Sequence, residues 1–379
     1  IRTRVLPVSA PVRNAARTSS SDGLIHATPP KGPMNEADVE EALRGVADPD
    51  LGEDIVATGL VNEVSVEDGV AHVSLALGTP YSPAESTIAD RVREEIRDLG
   101  LEPELSAYHP EQDSGGEDDV LPNVKNVIAV ASGKGGVGKS TVAVNLAAAL
   151  SDRGARVGLF DADVYGPNVP RMVSADEAPQ ATEEETLIPP EKFGVKLMSM
   201  AFLTGGEDDP VIWRGPMVHK VLTQLVEDVE WGYLDYLIID LPPGTGDTQL
   251  TVLQTMPVTG AVVVTTPQDV AIDDAQKGLE MFGTHDTPVL GIVENMSTFV
   301  CPDCGSEHDV FGSGGGEAFA AENDLPFLGA IPLDPSVRAG GDQGAPVALD
   351  EESGVGESFR DLAGNTADMA GILNRRALD

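Results

Sequence analysis

The chain has 379 residues, of which 63 are acidic and 24 are Lys or Arg, so its formal net charge is -39. So negative a surface excludes nucleic acid and anionic membranes as partners, and two Cys exclude a disulfide framework. No apolar run approaches the roughly 20 residues that span a bilayer. Because 41% of the residues are hydrophobic, we expect a folded protein. The length predicts two or three domains, and we expect the protein to be cytoplasmic.

The charge is also unusual because Lys is scarce. High net charge destabilises a compact protein by self-repulsion, which concentrated salt screens. The composition resembles that of cytoplasmic proteins from salt-accumulating halophiles, and we expect a halophilic protein. Two of the eight lysines, Lys134 and Lys139, lie within one six-residue stretch, which indicates a function for that stretch.

The first 33 residues differ in charge from the rest of the chain. They carry five basic side chains and a single acid, Asp22. One interpretation is that these Arg- and Ser-containing residues are a transit peptide. We favour a disordered or non-native extension ahead of Met34, because residues 34–43 are typical of a capped acidic helix. Mass spectrometry of the mature N-terminus distinguishes the two.

Residues 34–108 are predicted to form a small α+β domain. Residues 36–46 are amphipathic, and 61–66 and 70–76 alternate as two strands around a tight turn. Residues 86–99 follow as a helix with apolar side chains on one face. The expected order of elements is therefore helix, strand, strand, helix.

Residues 109–123 are acidic and interrupted by Gly and Pro, which predicts a flexible linker. From residue 124 to 379 the pattern changes to short apolar strands that alternate with helices. Such strands are typical of an α/β fold with a mostly parallel sheet covered by helices on both faces. The expected strands are 127–131, 157–160, 236–239, 261–265, 289–293 and 327–331, and the expected helices include 140–151 and 358–373.

A glycine-rich loop lies between the first strand and the first helix of this second domain. It fits the P-loop pattern G-x-x-x-x-G-K-S/T, whose glycines let backbone N–H groups converge on phosphate at a helix N-terminus. Lys139 is expected to reach the β- and γ-phosphates of ATP, and the Ser140 hydroxyl to ligate Mg²⁺. The loop consists of Gly133, Lys134, Gly135, Gly136, Val137, Gly138, Lys139, Ser140 and Thr141.

The same loop also fits the dinucleotide pattern G-x-G-x-x-G, and Asp161 ends the next strand, where a ribose-binding acid would sit. That alternative requires neither Lys139 nor Ser140, and it leaves a second acidic strand end, Asp240, unexplained. We favour a nucleoside triphosphate and expect Asp240 to lie near Mg²⁺, directly or through water. The Pro- and Gly-containing loop 241–247 is expected to rearrange when the γ-phosphate leaves.

Cys301 and Cys304 are the only cysteines, and their C-x-x-C spacing places two thiolates within reach of one metal. A redox disulfide is an alternative, although it usually follows a βαβ strand. Two thiolates are half a site, since an iron–sulfur cluster and structural zinc each take four ligands. A symmetric dimer would complete a four-thiolate site. His308 could instead ligate zinc, but we favour the bridging cluster.

The extra lysine, Lys134, makes the loop resemble the deviant Walker A loop of the MinD/ParA/nitrogenase-iron-protein class. More specifically, residues from about 124 to 346 resemble the Mrp/NBP35/ApbC family of iron–sulfur cluster carrier ATPases. The resemblance implies a P-loop NTPase that forms a homodimer, binds a [4Fe-4S] cluster between its subunits and hydrolyses ATP. Its implied partners are apo iron–sulfur client proteins and iron–sulfur scaffold proteins. The segments that match are 134–141, 161–170, 213–217, 240–247, 291–296 and 301–305.

The resemblance also implies roles for single residues. Lys134 would cross the dimer interface to the partner's nucleotide, and Asp163 would orient the attacking water. Asn295 would bind the edge of adenine, while Pro332 and Asp334 close over the base. The expected catalytic residues are Lys134, Lys139, Asp163 and Asp240.

Residues 36–108 resemble the MIP18-type (DUF59) domain that often precedes this ATPase, and the turn at 48–50 fits it. Members of that family commonly carry a Cys in the segment that matches 79–83, where this chain has Ser82. We therefore expect no cysteine-based role for this domain and interpret it as an interaction module.

Two other functions share a P-loop. A positioning or partitioning ATPase of the MinD/ParA type would favour a membrane-binding C-terminal helix or a basic DNA surface, but 358–379 has no strongly basic apolar face. A metal-insertion GTPase would need a guanine signature, and Asn295 has no adjoining Lys-x-Asp. The cluster carrier is therefore the favoured function.

Overall fold

The structure is a computed structural model that describes residues 34–108, 120–164, 166–203, 215–301 and 304–376. The predictions for residues 1–33 and for linker residues 109–119 lie outside the described residues. The same holds for residues 165, 213–214 and 302–303 within the matching segments. Asn35–Asp379 belong to one compact unit.

The first region of this unit is a small sheet with two helices. Its elements are α1 Glu36–Leu43, β1 Val61–Glu67, β2 Val70–Leu75, α2 Pro83–Asp98 and β3 Glu102–Ala107. The helix α1 begins with a capping box, in which Asn35 and Asp38 each bond the other's backbone N–H. β1 and β2 pair antiparallel, while β3 pairs in parallel with β2. The region has its own apolar core between the sheet and both helices.

Strand β3 was not predicted. Its sequence, Glu-Pro-Glu-Leu-Ser-Ala, contains residue types that strands usually avoid. β3 lies at the edge of the sheet and has only β2 as a neighbour. Pro103 is tolerated there because only one side of an edge strand has to supply ladder hydrogen bonds.

The second region contains the predicted alternation of strands and helices. Its helices are α3 Lys139–Asp152, α4 Val169–Met172, α5 Gly215–Glu227, α6 Asp247–Thr255, α7 Asp269–Thr284, α8 Gly315–Glu322, α9 Pro335–Gln343 and α10 Gly354–Arg376, with 3-10 helices at Met200–Leu203 and Val347–Leu349. Its strands are β4 Val124–Ala131, β5 Val157–Asp161, β6 Gln180–Ala181, β7 Leu187–Ile188, β8 Glu191–Lys192, β9 Val195–Ser199, β10 Leu234–Asp240, β11 Gly260–Thr265, β12 Val289–Val300, β13 Glu307–His308 and β14 Phe327–Leu333.

Within the described residues the central sheet has nine strands, in the order β13-β12-β11-β4-β10-β5-β9-β8, with β14 also paired to β12. Of these nine, only β13 and β8 pair antiparallel with their neighbours. Helices α3 and α10 contribute to the core on one face, and α5 to α8 to the core on the other. The inner strands are mainly apolar because both faces are covered, which confirms the predicted fold. Among the described residues, no helix has both the length and the apolar character needed to cross a membrane.

The two regions meet at the C-terminal helix. Arg375 of α10 is buried. Its Nε lies 2.8 Å from Oδ2 of Asp48, and its Nη2 lies 2.6 Å from Oδ2 of Asp50. Its Nη1 lies 3.8 Å from Glu85 of α2. Burial raises the pKa of Glu85, and hydrogen bonds from Thr79, followed by the Arg375 charge, oppose that rise. The regions are joined electrostatically by the Arg375 cluster, which consists of Arg375, Asp48, Asp50 and Glu85.

The loop before α2 packs against the amino ends of β4 and β10. The Tyr236 hydroxyl donates to the Pro80 carbonyl (3.0 Å), and the Asn126 amide donates to the Gly78 carbonyl (2.7 Å). Ser82 is fully buried in this contact, and its hydroxyl accepts the backbone N–H three residues on (3.1 Å). The residue that stands in place of the usual Cys is therefore the N-cap of α2.

Replacing Arg375 with Ala is expected to destabilise the protein by about 3–5 kcal/mol, because a buried carboxylate cluster loses its cation. The measurement is the midpoint and slope of chemical denaturation. Arg376→Ala is the matched control, since that neighbouring side chain is exposed and should change the free energy of unfolding by at most about 0.5 kcal/mol. Equal midpoints for the two variants would contradict the role given to the cluster.

Candidate functional site

Three parallel strands bring the predicted phosphate-binding residues to one edge of the sheet. β10 lies between β4 and β5, and Asp240 is in register with Val130 on one side and Asp161 on the other. The phosphate loop, residues 133–141, starts two residues after the last residue of β4, Ala131. Because the carboxyl ends of parallel strands meet at the same edge, both acids lie beside the loop.

The loop has glycines where side chains cannot fit. Gly138 is the N-cap of α3 with a φ of 84°, and a Cβ there would lie 2.1 Å from the amide nitrogen of Asn295. A Cβ at Gly133 would lie 2.1 Å from the Asp274 carbonyl of α7. The backbone can therefore close over the N-terminus of α3, whose first N–H groups have no partner within the helix.

Lys139 lies at the start of α3 and is buried. Its Nζ forms an ion pair with Oδ1 of Asp240 and lies 3.3 Å from the Ser140 hydroxyl. Burial raises the pKa of Asp240, and the Lys139 charge opposes that rise. The other oxygen of Asp240, Oδ2, is buried without a hydrogen-bond partner in the described part of the chain. A carboxylate and a hydroxyl oxygen at this place are the ligand types that Mg²⁺ prefers.

Asp161 serves the fold of the next loop. It is fully buried and accepts hydrogen bonds from the backbone N–H groups of Asp163 and Val169 (both 3.2 Å) and from the Ser199 hydroxyl (3.0 Å). Burial, followed by the Asp240 charge, raises the pKa of Asp161 to about 7. A carboxyl closed in this way cannot bind a ribose, which removes the argument for a dinucleotide.

Asp163 lies beyond that turn, on the wall of a cavity of about 340 Å³. The opposite wall is the loop 241–246, called the switch loop below. This loop is held close to the phosphate loop, because the Gly244 N–H donates to the Ser132 carbonyl (2.9 Å). The cavity is lined by Asp163, Gly166, Pro242, Pro243, Gly246, Thr248 and Gln249.

A second cavity, of about 500 Å³, opens from the far end of the phosphate loop. It brings together Asn295, Pro332 and Asp334, the residues predicted to surround the adenine, with Ser140 and Thr141 of the phosphate loop. Its wall also includes Asn168, from the matching segment 161–170, to which the sequence assigned no role. Three further residues lie outside any motif and are placed here only by the fold: Arg171, Met172 and Arg338.

Asn295 has a partner that the sequence did not indicate. Its amide Nδ2 donates to the Val137 carbonyl of the phosphate loop (2.8 Å). The next residue, Met296, has a φ of 55°, an uncommon value for a non-glycine, and the pairing of β12 with β14 shifts register there. The Asp334 carboxylate caps α9 by accepting the Ser336 N–H (2.7 Å). Strand β12, whose Asn295 bonds the phosphate loop, therefore bends at Met296 before it leaves the sheet.

Cys301 and Cys304 lie at the tip of a hairpin formed by the end of β12 and β13, the cysteine hairpin. The turn is closed by two backbone bonds, from the Gly305 N–H to the Cys301 carbonyl (2.8 Å) and from the Cys301 N–H to the Ser306 carbonyl (2.9 Å). Cys304 is exposed, and its hydrogen bond with the Ser306 hydroxyl lowers the pKa of its thiol. A lowered pKa favours the thiolate, the form that binds metal.

The cysteine hairpin does not assemble a complete metal site within the described residues. No group of three or more His, Cys, Asp or Glu side chains there could hold a metal ion. The ring of His308 lies against Phe299, with 6.4 Å between their centroids. The hairpin and the segment after it expose Val300, Val310 and Phe311.

Family models match both regions. Residues 123–367 match the model described as the NUBPL iron-transfer P-loop NTPase. Residues 36–104 match the model described as an iron–sulfur cluster assembly protein. The two matches cover the predicted ATPase and the predicted MIP18-type domain, respectively.

Curated relatives align over most of the chain. An iron–sulfur cluster carrier protein of Synechocystis sp. is 44% identical over 345 residues, covering 89% of this chain and 97% of the relative. One of Deinococcus radiodurans is 45% identical, covering 91% and 97%. A chloroplastic Fe-S cluster assembly factor of Arabidopsis thaliana is 40% identical, covering 95% and 69%.

Among solved structures, a nucleotide-binding protein of Archaeoglobus fulgidus in complex with ADP is similar. It is 38% identical, with a TM-score of 0.55, and the match covers 63% of this chain and 93% of that protein.

The raised pKa of Asp161 predicts how pH affects stability. Between pH 4 and 7 the unfolded chain ionises this carboxyl while the folded protein keeps the proton, so its contribution to stability falls as pH rises. Above the folded pKa of about 7, both states are ionised and the loss stays constant. Asp161→Asn cannot ionise and should become more stable relative to the natural protein by up to about 1.4 kcal/mol per pH unit in this window.

Urea denaturation of both proteins at pH 5, 6, 7 and 8, at one salt concentration, measures this difference. Hydrogen bonds lost through the substitution add a constant offset, so only the change with pH is diagnostic. A difference that does not vary between pH 5 and 7 would show that Asp161 is ionised throughout.

Proposed function

Because the chain belongs to the NUBPL iron-transfer family of P-loop NTPases, we propose that it is an ATP-hydrolysing carrier of iron–sulfur clusters. It binds a [4Fe-4S] cluster between two copies of the chain and delivers it to apoproteins. The observation that carries the proposal is the pair of half-buried Cys301 and exposed Cys304, which offers two thiolates and, among the described residues, finds no third ligand.

Two copies of the chain together supply four thiolates. A [4Fe-4S] cluster takes four thiolates, and a twofold axis through the cysteine hairpin brings two pairs together. The apolar side chains of Val300, Val310 and Phe311, exposed near the thiolates, provide surface for such a contact. A cluster held only at the hairpin tips can be passed on, because a client's thiolates can approach it from solvent. Apo iron–sulfur proteins and cluster scaffolds are the proposed partners.

ATP occupies the two cavities around the phosphate loop. Lys139 leaves Asp240 for the β- and γ-phosphates, and the backbone N–H groups at residues 133–141 surround them. Ser140 and Asp240 would hold Mg²⁺, which neutralises charge on the phosphates. The adenine lies between Asn295 on one side and Pro332 and Asp334 on the other.

Hydrolysis needs a water in line with the γ-phosphate. Asp163, on the wall of the smaller cavity, orients that water. The oxygen of the water bonds to the γ-phosphorus while the bond from that phosphorus to the oxygen bridging the β- and γ-phosphates breaks. ADP keeps the electron pair of the broken bond, and the protons of the water leave with the phosphate product or to solvent. Lys134 reaches across the dimer interface to the partner's nucleotide, so hydrolysis depends on the dimer.

The nucleotide and cluster sites share one strand. Asn295 bonds the phosphate loop, and Cys301 follows six residues later, beyond the bend at Met296. A shift of the phosphate loop or of the switch loop, when the γ-phosphate leaves, changes the path of β12 and with it the spacing of the hairpins. ATP turnover in this way regulates how tightly the dimer holds its cluster.

The positioning ATPase is not favoured by the C-terminal helix. That function calls for a helix whose apolar face is free to bind a membrane. In α10 the apolar residues, among them Phe359 and Leu362, are buried against the sheet, and Arg375 is buried in the Arg375 cluster. This helix is part of the core.

Replacing both Cys301 and Cys304 with Ser is expected to abolish the cluster absorbance of anaerobically reconstituted protein. Iron and acid-labile sulfide per dimer should fall to background, because hydroxyls do not replace thiolates. ATP binding should be unchanged. Lys139→Ala is the reciprocal control, expected to lose ATP binding and keep the cluster. A double Ser variant that retains its cluster would place the ligands elsewhere in the chain.

A further inference from the structure

Gln249 of α6 is a buried residue to which no role has been assigned so far. Its side chain is 1% exposed, and its amide Nε2 donates to the Pro242 carbonyl of the switch loop. A carbonyl can only accept a hydrogen bond, so this contact fixes the orientation of the amide, with nitrogen toward Pro242 and oxygen away from it.

The oxygen of that amide is unsatisfied. Oε1 of Gln249 is buried and has no hydrogen-bond donor among the residues that the structure describes. Buried amide oxygens rarely remain unpaired, because their desolvation is then uncompensated. Gln249 lines the same cavity as Asp163. Its Oε1 has no exposed surface there, so water from the cavity can donate to it only when the switch loop moves.

The turn that Gln249 holds lies against the phosphate loop. Pro243 has a ring carbon 4.0 Å from where a Cβ on Gly135 would be, and the Gly244 N–H donates to the Ser132 carbonyl (2.9 Å). A change in the Gln249 contact therefore alters the wall beside the γ-phosphate.

We propose that Gln249 is a positioning residue for ATP hydrolysis. Its side-chain N–H holds the Pro242 carbonyl, and its Oε1, once the switch loop moves, accepts a hydrogen bond from water in the cavity that it shares with Asp163. It exchanges no proton and acts through the switch loop and the ordering of that water. The inference rests on the proposed function, in which Asp163 and the phosphate loop hydrolyse ATP.

The test compares two substitutions that keep the length of the side chain. Gln249→Met removes both hydrogen bonds and should lower kcat by about 10–100-fold at every pH from 6 to 9, with KM for ATP within about twofold. Gln249→Glu should be equally slow at pH 9 and recover as the pH falls. A protonated carboxyl again offers an O–H to Pro242 and a carbonyl oxygen to the water.

The pH profile needs a reference, because other groups titrate nearby. In the described residues these are Asp163 across the cavity and the Asp240–Lys139 pair before the switch loop. They are present in both variants, so the ratio of the Glu and Met rates isolates the introduced carboxyl. Gln254→Glu, exposed on the same helix, is the matched control and should behave as the natural protein does.

A Met variant with at least half the natural kcat would overturn the inference, as would a Glu-to-Met ratio that is constant with pH. If the Met variant does not fold, the Gln249→Glu profile against that of Gln254→Glu decides, and equal profiles count against the inference. A natural protein that binds ATP without hydrolysing it would overturn the proposed function, and the inference with it.

Discussion

The arrangement of the phosphate edge follows from one constraint, the register of β10 between β4 and β5. That register sets the carboxylates of Asp240 and Asp161 side by side in a buried place, where two negative charges cannot both be left unpaired. Lys139 neutralises one, and the other accepts three hydrogen bonds and keeps its proton up to a pKa raised to about 7. Lys139, the cation that nucleotide binding requires, thus already neutralises a buried carboxylate of the protein itself.

A similar balance holds the N-terminal region in place. Arg375 comes from the last turns of α10, some 300 residues beyond the acids that it neutralises. The region contributes a separate apolar core, so it is attached by polar and ionic contacts more than by shared hydrophobic packing. Such contacts are specific in geometry, and they explain why the loop at 77–82 is held firmly against the ends of two strands.

The sequence alone predicts six strands of the second region, because their signals are local, but it does not predict β6 to β9 or β13. The apolar strands, the phosphate loop and Asp240 follow from periodicity and spacing, and the strand ends differ from those predicted by only a few residues except in β12. Contacts between distant segments could not be predicted this way. No local pattern indicates that Asn295 bonds Val137, that Gln249 bonds Pro242, or that β12 continues beyond residue 293 to Val300. β3 was missed because an edge strand tolerates residues that inner strands exclude.

The docking of the N-terminal region has a geometric consequence. Its loop at 77–82 touches β4 and β10 at their amino ends, whereas Cys301 and Cys304 project beyond the carboxyl end of β12. A strand of eight residues, the length of β4, is about 26 Å long. Within one chain, therefore, the region and the thiolates face opposite directions across the whole depth of the sheet. Any cargo passing between them has to travel to another molecule, or the Arg375 cluster has to open first.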